Sequence, residues 1–349
     1  MRKEIKAVDL FCGVGGLTHG LVKAGIDVVA GVDIDLACEY PYIVNNKAEF
    51  WKESVETLSG SRIEEWFGTS DIKILAGCAP CQPFSTYSQG TRGSNDDKWK
   101  LLYAFQRLIS ETQPDIVSME NVPKLVSNQV FLDFVNALKN NDYEVTYQVM
   151  KCEEYGLPQT RRRLVLLASR LGKIEFIKPT HTQKNFKTVK SALGKLPNIS
   201  AGEFLGKDKL HKSASLSELN MERIRQSIPG GTWKDWDPEL VAACHRKESG
   251  KTYPSVYGRM EWDKPSPTIT TQFYGFGNGR FGHPEQDRAL TLREGAILQG
   301  FPKSYKFVKS NEIPVVTSVG RLIGNAVPVT LGEVIGKSIK IHLKQNQKD

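Results

Sequence analysis

Cys81 stands in the segment Gly77-Cys78-Ala79-Pro80-Cys81-Gln82-Pro83-Phe84, directly after the apolar run 72–76. A thiol in a proline-braced loop at the carboxyl end of a buried strand is placed for covalent chemistry in an open α/β sheet. A carboxyl group follows in Glu120-Asn121-Val122, after the apolar run 116–119. Three guanidinium groups follow in Gln159-Thr160-Arg161-Arg162-Arg163, just before the run 164–168. If these runs are strands of one sheet, the thiol, the carboxyl group, Arg161 and Arg163 gather at one edge. A thiolate there can add to an electron-poor ring carbon. A carboxyl group can protonate a ring nitrogen and take up developing charge. An arginine can fix a carbonyl oxygen.

That combination would activate carbon 5 of a cytosine. Attack at carbon 6 makes carbon 5 enamine-like, and it can then accept a methyl group from a sulfonium. Each signal also has a plainer meaning. Glu-Asn after a strand is often a capping turn, and consecutive arginines are often a solvated face. It is their joint occurrence, in this order, that carries the chemical reading. Cys78-x-x-Cys81 could also be half a zinc site or a redox pair. Zinc needs about four ligands, and the chain has no second Cys-x-x-Cys and no His-x-x-x-His. No metal is expected.

The elements that must position these groups are legible as alternation. Strands are expected over 5–11, 28–34, 72–76, 116–119, 145–149 and 164–168. Helices are expected over 17–24, 36–45, 101–109 and 130–138. This order argues for a parallel sheet with helices on both faces. From about Thr180 the texture changes to Lys, Ser, Gly, Trp and Pro without strict alternation. A second, smaller, irregular domain is expected there. The tail 328–343 reads as an amphipathic helix.

A third feature is Asp9-Leu10-Phe11-Cys12-Gly13-Val14-Gly15-Gly16, where the first strand passes into the first helix. Its glycines let backbone come close to a ligand. The spacing is not the dinucleotide G-x-G-x-x-G. Asp33, at the end of the second strand, can accept both hydroxyls of a ribose. An adenosine-bearing ligand is expected, and a nicotinamide cofactor fits this much equally well.

The totals set bounds. The chain has 349 residues, 40% hydrophobic and 25% charged, with a net charge of +8. That charge is compatible with a polyanionic partner without proving one. Six cysteines scattered in a long chain without a signal-peptide core do not suggest a disulfide framework. No apolar run approaches the ~18 residues of a membrane span. A cytoplasmic protein with no membrane partner is expected. No heptad zipper or large apolar stripe is evident, and a monomer is expected.

Taken together, these segments resemble the cytosine-5 DNA methyltransferases of the bacterial restriction-modification type, over nearly the whole chain. The resemblance implies a Rossmann-like α/β sheet that depends on S-adenosylmethionine, plus a smaller target-recognition domain. It implies a catalytic domain over 1–180, target recognition over 181–317, and a segment over 318–349 that returns to the catalytic domain. By the family pattern, Phe11 and Ile34 would touch the adenine and Asp33 the ribose. Gly13, Val14 and Gly16 would line the methionine part, and Asp9, Pro80, Asn325 and Ala326 would complete the cofactor site. Cys81 would be the nucleophile, Glu120 would meet ring nitrogen 3, and Arg163, with Arg161, would serve the base carbonyl. Gln82 and Ser85 would contact DNA. Arg259, with Pro267-Thr268-Ile269-Thr270, resembles the motif that braces target recognition. Arg293-Glu294, Leu298-Gln299-Gly300-Phe301-Pro302 and Gly324-Asn325-Ala326-Val327-Pro328 complete the signature.

Some positions depart from the pattern. Cys78 and Ala79 replace a Gly and a Pro common in relatives, which is expected to alter packing rather than chemistry. Position 34 is often aromatic. The acid for the adenine amino group is sought near Glu53.

The resemblance further implies that one cytosine of a specific duplex site is flipped out, with the loop 83–98 closing over it. Arg223, Arg225, Lys234, Arg246, Lys247 and Arg280 are candidates for phosphate or base contacts. The segment Gly230-Gly231-Thr232-Trp233 is either a recognition loop or a structural turn. A partner restriction endonuclease for the same site is implied, and an orphan or phage enzyme would look the same. Three alternatives compete. A transfer-RNA cytosine-5 methyltransferase would carry Cys-Phe-Thr before the bracing motif, but here Cys244 is followed by His245. A non-catalytic DNA-binding relative would usually lose the nucleophile or the cofactor turn. An oxidoreductase leaves Arg161, Arg163 and the basic second domain unexplained.

Overall fold

The computed structural model describes residues 3–80, 99–204 and 206–346. Cys81, Gln82, Ser85 and the loop 83–98 lie outside the described residues.

Among the described residues, seven strands form one sheet: β1 (Ile5–Leu10), β2 (Asp27–Asp33), β3 (Glu49–Lys52), β4 (Ile72–Gly77), β5 (Ile116–Asn121), β6 (Glu144–Lys151) and β7 (Arg162–Ser169). The connecting helices are α1 (Gly16–Lys23), α2 (Glu39–Asn46), α3 (Gly60–Phe67), α4 (Lys100–Thr112) and α5 (Gln129–Asn140). The spatial order is β3-β2-β1-β4-β5-β7-β6. Strands β3 to β5 are parallel, whereas β7 runs antiparallel to both β5 and β6. The expectation of a parallel sheet is corrected at this edge. Only residues 152–161 separate β6 from β7, too few for a helical crossover, so the chain reverses directly. Helix α5 carries the chain from β5 to β6, and β7 fills the slot left between them.

The continuous apolar runs follow from burial on two faces. Every residue of β5 is buried. Val8, Leu75, Val117 and Leu166 share one core with Phe67 of α3, Phe105 of α4 and Phe134 of α5. Their strand neighbours Ala7, Ile74, Ile116 and Val165 are also buried, so the opposite face is covered too. Two elements were not anticipated, β3 and α3. The expected helix over 36–45 begins as a 3-10 turn, Leu36–Cys38, before α2.

Helix α1 and the C-terminal helix Val329–Gln345 meet backbone to backbone. A Cβ on Gly20 would lie 2.4 Å from the Glu333 nitrogen, and one on Gly332 would lie 2.8 Å from the Leu17 oxygen. Glycine is the residue that permits this approach.

The chain forms two compact units. The first comprises Met1–Tyr155, Arg162–Pro179 and Val327–Asp349, and the second Gly156–Arg161 and Thr180–Ala326. The helix Val316–Asn325 therefore belongs to the second unit rather than to a segment returning at 318. The second unit has short helices and few ladders. It is held by an aromatic cluster around Ile224, Trp233, Trp236 and Phe276 and by buried arginines. Arg259 donates to the carbonyls of Ile224, Ser227, His283 and Gln286. Arg288 forms a two-pronged pair with Glu294, at 2.8 and 2.7 Å, and both side chains are buried.

Candidate active site

The turn after β1 is built from left-handed backbone: Phe11 at φ 57, Gly13 at φ 51 and Gly15 at φ 84. It is tied to β2 by two bonds. Cys12 N donates to Val32 O at 3.1 Å, and Gly13 N donates to Asp33 Oδ2 at 2.9 Å. Asp33 Oδ1 accepts from Asp35 N. Burial raises the Asp33 carboxyl above the usual range, against these backbone donors. Gly16 opens α1, and Val14 is buried behind the turn.

Asp9 is fully enclosed. Its Oδ2 accepts from Thr18 Oγ1 at 2.6 Å, while Oδ1 accepts no hydrogen bond among the described residues. Burial pushes its pKa up to about 7, opposed by Thr18 and assisted by nearby Asp33.

A cleft of about 310 Å³ opens beside this turn, lined by Phe11, Asp33, Ile34, Glu53, Val55 and Pro80 among others. Ile34 is 68% exposed there, an apolar surface without cover. The cleft lies outside the carboxyl ends of β1, β2 and β4, where open α/β sheets bind ligands. Ser54 and Leu101 also line it and had no signal in the sequence that singled them out.

The second cluster stands at the ends of β4, β5 and β7. Glu120 is buried at the end of β5. Cys78 Sγ donates to its Oε2 at 2.7 Å. Arg163 Nε lies 2.9 Å from its Oε1, an ion pair without hydrogen-bond alignment. Asn121 Nδ2 donates to Ala79 O at 3.0 Å and so fixes the start of the loop that bears Pro80. The Cys78 thiol is pushed well above its ordinary range, first by burial and then by the Glu120 carboxylate.

The arginine run divides between the units. Arg163 faces Glu120 in the first. Arg161 is buried in the second, where it donates to Ile269 O at 3.0 Å. Gln159, also buried there, donates to Leu298 O and Gln299 Oε1 and accepts from Ile269 N. Thr160 and Ser266 are bonded through their backbones. The segment therefore stitches 266–269 to 298–299. Asn325 and Ala326 end the second unit. Asn325 is exposed, and Ala326 O accepts from Gln299 Nε2 at 2.9 Å.

Several basic candidates are committed elsewhere. Arg223 is buried, donates to Leu240 O and lies over the Trp236 and Tyr257 rings. Arg246 bonds the carbonyls of Pro238 and Val241, and Arg280 bonds that of Gly231. Thr232 caps a 3-10 turn, and Trp233 stacks on His245 at 4.8 Å. The Gly-Gly-Thr-Trp segment is thus a packed turn. Arg225 is 65% exposed and Lys247 is exposed.

The sheet order with its reversed last strand, the glycine turn and the cleft beside it define a Rossmann-like α/β fold. The chain belongs to the C-5 cytosine-specific DNA methylase family, whose model matches residues 5–341, and it is a DNA cytosine-5 methyltransferase. It is 52% identical over 341 residues to the type II methylase M.HgiDII of Herpetosiphon aurantiacus, covering 97% of this chain and 95% of that protein. It is 30% identical to the type II methyltransferase M1.HphI of Haemophilus parahaemolyticus, covering 98% of this chain and 87% of that one. A solved structure of a DNA modification methyltransferase encoded within an E. coli prophage matches with a TM-score of 0.73 at 24% identity, covering 97% of this chain and 99% of that one. That last likeness concerns the fold.

Catalysis by this family implies S-adenosylmethionine, and the residues present fit it. The cofactor carries an adenine, a ribose and cationic centres. The cleft offers exposed Ile34 beside Phe11, the carboxylates of Asp33 and Glu53, and left-handed backbone at the turn. Among the described residues, no helix is long and apolar enough to cross a membrane.

Proposed function

We propose that the protein methylates carbon 5 of one flipped-out cytosine in a short, specific duplex sequence, through a covalent bond between Cys81 and carbon 6. The observation that carries this reading is the buried Glu120 carboxylate. It sits beside Arg163, and its chain neighbour Asn121 donates to Ala79 O in the backbone that leads into Pro80-Cys81. In this reading the Cys81 thiolate adds to carbon 6. Glu120 holds a proton at ring nitrogen 3, which takes up the charge of addition. Arg163 turns from Glu120 to the base carbonyl. Carbon 5 becomes nucleophilic and is methylated. Loss of the carbon 5 proton to water, with the nitrogen 3 proton returned to Glu120, then re-forms the double bond and expels the Cys81 thiolate. S-adenosylmethionine supplies the electrophilic methyl group when bound. Phe11 and Ile34 hold its adenine, Asp33 its ribose, and the turn at Gly13, Val14 and Gly16 its amino-acid part. Arg161 braces the second unit rather than touching the base, and Gln82 and Ser85 contact the DNA.

Removing a paired cytosine from the stack costs a few kcal/mol, which contacts to the DNA must offset. The setting we infer is protection of host DNA from an endonuclease acting on the same site. It is supported by the type II names of the relatives at 52% and 30% identity.

The test is duplex DNA carrying 5-fluorocytosine at the target. Fluorine cannot leave as a proton does, so the adduct persists. Wild-type protein should form a denaturation-stable complex whose bond maps to Cys81. Glu120→Gln should form it about 10²–10⁴-fold more slowly, the usual contribution of a general acid. An adduct formed unchanged by Cys81→Ala would remove the assigned nucleophile.

A further inference from the structure

We infer that Cys78 is a positioning residue for Glu120: its thiol holds Oε2 by a donated hydrogen bond and leaves Oε1 as the oxygen that meets the base. This rests on the role proposed for Glu120 and adds a second cysteine that serves the same step without bonding to the substrate.

The placement follows from the sheet register. Parallel pairing of β4 with β5 matches Gly77 with Met119 as its last pair. One residue further along, Cys78 and Glu120 stand side by side, and Sγ reaches Oε2 at 2.7 Å. The two carboxylate oxygens are then distinct. Oε2 is held from the β4 side by a neutral donor. Oε1 is buried, lies 2.9 Å from Arg163 Nε, and accepts no hydrogen bond among the described residues. A buried oxygen in that condition is a vacant acceptor. It becomes free to meet a base when Arg163 moves to the carbonyl oxygen. Without Cys78 the carboxyl group could present either oxygen, and part of its orientation would be lost.

Among the described residues, the charged groups around the Cys78–Glu120 pair are Arg163 from β7 and, beyond it, Asp9 from β1. Burial keeps the Cys78 thiol protonated over the working range, so it acts as a donor throughout. A donor to a carboxylate stabilises the charged form.

The test compares single-turnover methyl transfer from pH 6 to 10 for wild type, Cys78→Ala, Cys78→Ser and Glu120→Gln, on the full chain with duplex DNA and S-adenosylmethionine. Cys78→Ala should lower the maximal single-turnover rate several-fold with the half-saturating DNA concentration unchanged. It should also move the alkaline limb of the rate upward, because a donor to the carboxylate has been removed. Cys78→Ser restores a donor, and its limb should return toward wild type. A Cys78→Ala limb at the wild-type position overturns the inference. So does a loss that is equal at all pH and not rescued by serine, because that is the behaviour of a packing residue. Glu120→Gln separates the two claims. If that variant keeps the wild-type rate, the role of Glu120 itself fails; if it is slow while Cys78→Ala matches wild type, only the role of Cys78 fails.

Discussion

Replacing Asp9 with Asn should change the pH dependence of folding by an amount the structure sets. Asp9 is buried and accepts one side-chain bond, from Thr18. Its carboxyl is displaced from 3.8 to about 7, chiefly by burial. The folded protein therefore retains a proton that the unfolded chain releases. Its contribution to stability is fully present below about pH 4, declines as pH rises, and is lost above about pH 7. At about 1.4 kcal/mol per pH unit, the loss is on the order of 4 kcal/mol. The Asn variant carries a constant packing offset but no titration at this position. Asp33, also raised by burial, titrates in both proteins and largely cancels. Urea unfolding of both proteins at intervals from pH 4 to pH 8 gives the difference directly. Wild type should lose on the order of 4 kcal/mol relative to Asp9→Asn across that range, most of it below pH 7. A difference that is flat to within about 1 kcal/mol would mean that Asp9 ionises as it does in water, and the enclosed carboxyl group would be refuted.

Two further outcomes follow from packing. Gly20→Ala drives a methyl group into the backbone of the C-terminal helix, within 2.4 Å of the Glu333 nitrogen. It should cost about 1–3 kcal/mol or more by thermal or urea unfolding, since the obstructing atoms are backbone. Arg161→Ala removes the charge-assisted bond to Ile269 O. It should lower stability by about 1.5–3 kcal/mol, while the folded fraction keeps most of its methyl-transfer rate at a permissive temperature.

Much of the first unit was legible because its strands are buried on both faces. Runs such as Ile72-Lys73-Ile74-Leu75-Ala76 carry few competing signals, and β4 and β5 emerge within two residues of where the apolar runs lie. Strand β3 escaped notice because Glu49-Phe50-Trp51-Lys52 is a short, half-polar edge strand. Helix α3 has no clear signal because Ile63, Trp66 and Phe67 stand against five polar or small neighbours. The reversal of β7 was hidden because an apolar run records burial, not direction. The site divides in the same way. The glycine turn, Asp33, Glu120 and Arg163 are marked by residue types at strand ends. The different roles of Arg161 and Arg163 are not. They lie two residues apart, and only the fold sends one to Ile269 and the other to Glu120. The contact of Cys78 with Glu120 depends on the register between two strands, which no local pattern encodes.

The most direct measurement is transfer of labelled methyl from S-adenosylmethionine to mixed-sequence duplex DNA and, in parallel, to total transfer RNA, with base-resolution mapping of the product. The account predicts label at carbon 5 of cytosine, in one recurring duplex motif and not in RNA. Label confined to RNA, or label in duplex DNA at an atom other than carbon 5 of cytosine, would contradict it.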